Sequence, residues 1–223
     1  MFNVMDKWRY VHKFKSGKNI NYEDLKEVLW QAWKTTPSKN SFMPYSIHVI
    51  GPNQPELKQI VYNTAAEKEF LSNKRNSLHE NEWPVNVCKE TILNAEYVIV
   101  FTSRLEDEPS LWQLHLHRGG CYMDAWSIYE DNIEDYLSTI YVEVGLFARA
   151  VNALLLNKGI DSNYIISFDK KSKQWNKLPF IKMEPCLIMP VGVGEVFRRD
   201  EMSELHSEWD VKPDFERIVN FHV

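Results

Sequence analysis

The chain has 223 residues, 44% hydrophobic and 26% charged, a composition that supports one sizeable core and excludes a disordered chain. A formal net charge of −5 excludes general nucleic-acid binding, which needs a basic surface to displace counterions. Cys88, Cys121 and Cys186 form no Cys-x-x-Cys pair, which excludes a disulfide framework and suits a reducing compartment. Met1 to Tyr10 lacks the apolar run of a secretory signal. Nor does the chain contain about 18 consecutive uncharged apolar residues, the length a membrane span needs. These features predict a cytoplasmic protein with no membrane span and no nucleic-acid partner.

Asn21 caps a predicted helix from Tyr22, with Glu23 and Asp24 in its acidic first turn. Leu25, Val28, Leu29, Ala32 and Trp33 recur at helical spacing, and Pro37 ends the pattern because the residue before a proline avoids the helical region. Ser46 to Ile50 reads as a strand stopped by Gly51-Pro52, and Glu56 to Phe70 as a helix. Tyr97 to Phe101 is apolar and rich in β-branched residues, the pattern of a central buried strand.

Between Arg104 and Asp135 the sequence turns irregular, aromatic and acidic. An excursion of that length points to a functional or mobile segment, expected to be a lid or insertion or else extra dimer surface. Tyr141 to Lys158 reads as a second strong helix with Val144, Phe147, Ala148, Val151, Leu154 and Leu155 as its apolar stripe and Gly159 at its exit. Ile160 to Phe168 is a short extended piece, and Cys186 to Gly192 a last buried strand. With no repeat or linker, residues 1–223 are expected to form a single domain.

Two local patterns suggest chemistry and are set aside. Gly192-x-Gly194 lacks the third glycine and the following helix of a dinucleotide-binding loop. His115 and His117, near Cys121 and Asp124, have metal-ligand types, but no second ligand pair lies elsewhere, so no metal is expected.

Four stretches taken together resemble the nitroreductase family. Trp8 to Phe14 occupies the place of the family's Arg-x-Ser-x-Arg/Lys-x-Phe segment, with Trp8, Tyr10 and His12 at its three polar positions. Thr36-Pro37-Ser38-Lys39-Asn40-Ser41-Phe42-Met43-Pro44-Tyr45 is similar to the family's Ala-Pro-Ser-x-x-Asn-x-Gln-Pro-Trp, with Met43 at the Gln. Val142 to Ile160 resembles the long central helix and its exit, and Pro185 to Gly194 with the Ile218-Val219 tail resembles the last strand and C-terminal arm.

The resemblance implies an α+β fold, a central mixed or antiparallel sheet flanked by helices, in an intertwined homodimer with FMN at the subunit interfaces. It implies NADH or NADPH as reductant and a small-molecule electron acceptor such as a nitroaromatic or quinone, reduced by ping-pong hydride transfer. A dehalogenase or flavin-fragmenting enzyme on the same fold, or a flavin-binding protein without catalysis, are the alternatives. The flavin carries the chemistry, so no catalytic side chain is expected.

The implied cofactor-binding residues are Arg9, Tyr10 and His12 near the N-terminus; Pro37, Ser38, Lys39, Asn40 and Ser41 in a loop toward the partner's flavin; Asn86 and Lys89 near the pyrimidine ring; Ile166 and Ser167, through main-chain N–H groups, at N5 and O4; and Lys212 for the phosphate. Arg198, Arg199 and His206 are further basic candidates near the C-terminus.

Overall fold

Along one strand, Tyr97 to Ser103, side chains alternate between two faces, and every residue is buried. Tyr97, Ile99 and Phe101 enter one hydrophobic core, whereas Val98 and Val100 enter another. A strand with a core on each side is the centre of a three-layer fold. The computed structural model describes residues 11–15, 17, 20–38, 43–75, 87–104 and 133–197.

The elements in chain order are β1 (Val11–Phe14), α1 (Tyr22–Thr35), β2 (Tyr45–Ile50), α2 (Pro55–Arg75), α3 (Val87–Asn94), β3 (Tyr97–Ser103), α4 (Ile133–Asn157), β4 (Asp161–Ser162), β5 (Pro185–Gly192) and β6 (Gly194–Phe197). A short 3-10 helix, Lys173–Lys177, precedes β5. The main sheet has the order β2-β3-β5-β4, and β1 pairs with β6 in a separate ribbon. Every strand pairing among the described residues is antiparallel, so the antiparallel form of the expected sheet is the one observed.

α1 and α4 cover one face. Leu25, Val28 and Ala32 pack with Ile140, Val144, Phe147, Ala148, Val151 and Leu155 against Ile99, Phe101, Leu187 and Met189. On the other face Val61, Ala65 and Ile92, from α2 and α3, join Phe168, Trp175 and Leu178 over Val98, Val100 and Ile188. The stretch Ser138–Asn157 is long and apolar enough to cross a membrane by length and composition, but its buried stripe is the middle of the first core.

Local chemistry accounts for most boundaries. Asn21 Oδ1 accepts from Glu23 N–H, the expected cap of α1. α2 starts at Pro55, whose missing N–H costs nothing in a first turn. Gly159, at φ +72°, ends α4, and Ile160 N–H reaches back to the Leu155 carbonyl in the pattern of a Schellman turn.

Several expectations are corrected. The central helix begins at Ile133 rather than Tyr141, so residues 133–135 of the presumed excursion belong to α4. Residues 105–132, which form the rest of it, lie outside the described residues. The strand ending at Gly192 is not the last, because β6 follows after Val193 and pairs with β1. Both partners of that ribbon are four residues long, too short for a period to show. Lys89, expected near the pyrimidine ring, stands on α3. The extended piece after Ile160 is reduced to β4 and one bridge, Ile165 to Ile188.

Candidate functional site

α1 ends where Thr36 turns extended and Pro37 follows. Pro37 is exposed, and Ser38, half-buried, points inward. Ser38 Oγ donates to Glu143 Oε2 at 2.7 Å and accepts from Met43 N–H at 2.8 Å. Glu143 sits on α4 and is only 5% exposed. Met43 has φ +44°, a left-handed conformation uncommon without glycine. Tyr45 N–H then donates to the Met43 carbonyl, and Arg104 N–H to the Pro44 carbonyl. The loop between α1 and β2 is thereby tied to α4 and to the end of β3.

Tyr45 opens β2 with its ring 5.4 Å from that of Phe147. Its hydroxyl is buried and has no hydrogen-bond partner among the described residues. Burial pushes the Tyr45 pKa well above its ordinary value; Glu143 adds to the rise and Arg104 opposes it. The phenol therefore stays neutral and able to donate. A cavity of about 320 Å³ opens here, walled by Leu29, Trp33, Tyr45, Ile47, Arg104 and Phe147.

A second stretch follows β4. Tyr164 OH donates to the Ala148 carbonyl on α4, and burial pushes its pKa up to about 12. Ile165 exchanges two backbone hydrogen bonds with Ile188 of β5. Ile166 then turns outward, 73% exposed, and Ser167 is also exposed. No backbone bond ties the Ile166 or Ser167 N–H to another described residue. Asn163, fully buried, donates from Nδ2 to the Val11 carbonyl and accepts Tyr164 N–H at Oδ1. This one amide joins the N-terminal strand, which carries His12, to the stretch carrying Ile166 and Ser167.

Of the residues chosen from sequence, Pro37, Ser38, Ile166 and Ser167 are described in full. His12 lies on β1 and Lys89 on α3, where only their backbone positions are described. Arg9, Tyr10, Lys39, Asn40, Ser41, Asn86 and Lys212 lie outside the described residues, as do His115, His117, Cys121 and Asp124. Cys186 is buried, and burial raises its pKa to about 11, so it is no ready nucleophile.

Sequence reasoning passed over Glu143 and Asn163. Glu143 carried a readable signal: it stands three residues after Ile140 and four before Phe147, inside the apolar stripe of α4. A carboxylate on the buried face of a helix needs a partner.

The sequence matches no family model, and no curated protein matches it. Solved structures do match over nearly the whole chain. A nitroreductase-like protein from Streptococcus mutans superposes with a TM-score of 0.64 at 17% identity, covering 99% of this chain and 97% of that one. The fold is that of the nitroreductases. A protein from Exiguobacterium sibiricum, described as a candidate nitroreductase and solved in complex with FMN, gives a TM-score of 0.63 at 14% identity over 98% and 95% of the two chains. A gut-bacterial enone reductase of fatty-acid saturation gives 0.62 at 13% over 99% and 96%. These matches cover nearly the whole chain, and the two stretches docked on α4 lie inside them.

Proposed function

We propose that the chain is an FMN-dependent oxidoreductase that works as a homodimer and reduces a small planar acceptor with electrons from NADH or NADPH. The observation carrying this reading is the match along nearly the whole chain to a protein solved with FMN.

The residues present fit the cofactor. The outward Ile166-Ser167 turn offers main-chain N–H groups not committed to the backbone of other described residues, the donors an electron-rich ring edge requires. Because those donors are backbone, an exposed isoleucine is tolerated there. Pro37, exposed after the end of α1, offers a second edge. Arg9, Tyr10, His12 and Lys212 are the candidates for the phosphate, and Asn86 and Lys89 for the pyrimidine ring. When bound, FMN supplies two-electron redox chemistry, with a reduced nicotinamide as the source. The chain's own part is to hold the ring, exclude water and admit an acceptor.

Two features favour pairing of chains. Val142, 63% exposed, and Leu146, 46% exposed, share one side of α4, and Gly145 between them has open space above it. Such a stripe suits the close approach of a second copy. Glu143 and Ala148, which hold the two candidate stretches, are five residues apart, hence about 140° apart around a helix of 3.6 residues per turn. That divergence suits two stretches that serve different flavins of one dimer.

For the acceptor, the enone reductase among the solved structures adds α,β-unsaturated carbonyl compounds to nitroaromatics and quinones. The test is the visible spectrum of the purified protein, followed by anaerobic addition of NADH or NADPH. Yellow protein that bleaches supports the reading. Colourless protein that takes up no added FMN overturns it.

A further inference from the structure

Among the described residues β2 is an edge strand of the main sheet, paired with β3 alone. Tyr45, Ile47 and Val49 share one side of it, because alternate residues of a strand face the same way. Leu29 and Trp33, four residues apart on α1, share one flank of that helix. These two rows, with Phe147 of α4, wall the cavity of about 320 Å³. It is about twice the size of a protein cavity of about 150 Å³ that holds benzene, so it admits a fused pair of rings. The rings of Trp33, Tyr45 and Phe147 in its wall favour a flat aromatic guest.

Apart from the Trp33 indole, the polar side chains of the wall are those of Tyr45 and Arg104. Tyr45 is 6% exposed, and its hydroxyl has no hydrogen-bond partner among the described residues. A buried hydroxyl without a partner carries a desolvation penalty, which an acceptor entering the cavity removes. Burial keeps this phenol protonated; the Glu143 carboxylate adds to that effect and the Arg104 guanidinium opposes it. Both charges therefore act at the hydroxyl. An anion seated there meets Glu143 and a cation meets Arg104, whereas a neutral acceptor oxygen meets neither repulsion.

We infer that this cavity binds a small, flat aromatic molecule with a neutral carbonyl oxygen, which accepts from the Tyr45 hydroxyl while its rings lie among Leu29, Trp33, Ile47 and Phe147. The site stands on the cavity and the hydroxyl, and does not rest on the flavin reading above. Trp33 and Val49, 49% and 39% exposed, are the apolar side chains such a guest covers.

Equilibrium dialysis of the full-length protein tests this with three compounds of one shape: methyl naphthyl ketone, ethylnaphthalene, which lacks the oxygen, and naphthoate, which carries a charge. The ketone is expected to bind about tenfold more tightly than the hydrocarbon, the effect of one hydrogen bond, and the anion most weakly. Tyr45→Phe abolishes the preference for the ketone and leaves the affinity of the hydrocarbon unchanged. The melting temperature of that variant is no lower than the parent's, because the lost hydroxyl leaves no described group without a partner. Val49→Trp fills the cavity from its rim and weakens ketone and hydrocarbon alike.

A ketone that binds no better than the hydrocarbon, or equally well to the parent and to Tyr45→Phe, overturns the role of the hydroxyl. A lower melting temperature in Tyr45→Phe does the same, since it reveals a hydroxyl already engaged. Tightest binding of naphthoate overturns the neutral class. Affinities indifferent to Val49→Trp put the compounds elsewhere on the protein and overturn the site, as does a parent that takes up none of them.

Discussion

The ring of Phe14 lies so close to Gly192 that a Cβ built on the glycine would stand 2.5 Å from Phe14 Cδ1. Phe14 ends β1 and is fully buried; Gly192 ends β5. The contact seats the β1–β6 ribbon against the main sheet, and only a residue without a side chain leaves room for it. Gly192→Ala therefore forces the ring or a strand to move, at a cost of about 1 to 3 kcal/mol. Urea denaturation measures it. Phe14→Ala costs about 3 to 5 kcal/mol alone, and the double variant costs less than the sum because the clash is gone. Additive losses would mean that the two residues do not meet.

Lys58 offers a second test. It is a lysine on α2 that is 6% exposed, and its Nζ donates to the Ala95 carbonyl at 2.6 Å and the Glu96 carbonyl at 3.0 Å. Burial lowers its pKa, an effect the Glu96 carboxylate partly offsets. The ammonium fastens α2 to the turn between α3 and β3. Lys58→Met keeps the shape of the stem and removes the donor, leaving carbonyls without a partner, a loss of about 1 to 3 kcal/mol. A change below about 0.5 kcal/mol in chemical denaturation, the range of ordinary surface substitutions, would show that water replaces the ammonium.

How far the sequence foretold this structure depends on the distance over which each feature is decided. Tyr97 to Phe101 was readable because a strand buried on both faces must be apolar at every position. α1 was readable because its cap, stripe and terminating proline are all local. The β1–β6 pairing joins residues near opposite ends of the described chain, and neither strand has the length to show a period. The Asn163 bond to Val11 spans 152 residues and the Ser38 bond to Glu143 spans 105, with nothing nearby to announce either. Nothing in the sequence near Lys58 marks it as buried, because only the approach of the Ala95 turn covers it. The motif stretches Thr36 to Tyr45 and Tyr164 to Ser167 fall after α1 and after β4. They gave no sign that the Ser38 hydroxyl is engaged inward.

His48 makes stability depend on pH. Its Nε2 lies 3.2 Å from Thr102 Oγ1 and its ring 5.6 Å from that of Phe180, and burial lowers its pKa. The folded chain thus resists a proton that the unfolded chain accepts at an ordinary value near 6.5. Stability from this residue is fully present above the unfolded value and declines as pH falls below it, until the folded state also takes up the proton. Comparing urea midpoints of the parent and His48→Gln between about pH 7.5 and about pH 5.5 isolates the term. The parent is expected to lose more stability over that interval. Parallel profiles would mean that the imidazole is hydrated when charged.

Asn163 links stability to the candidate site. It is fully buried and uses both ends of its amide, donating to the Val11 carbonyl and accepting Tyr164 N–H. Asn163→Ala leaves a carbonyl on β1 and an N–H at the start of the Tyr164–Ser167 turn without partners, a cost of about 1 to 3 kcal/mol. The turn that carries Ile166 and Ser167 is then held by the Ile165–Ile188 bridge and by Tyr164 OH on Ala148. If its N–H groups face the flavin, Asn163→Ala weakens FMN binding more than Asn152→Ala does. Asn152 is an equally buried asparagine, accepting from Arg149 and donating to Ser162. Fluorescence titration of FMN into both variants, at a temperature where each remains folded, makes the comparison. Equal weakening would trace the effect to general loss of stability and remove the turn from the flavin site.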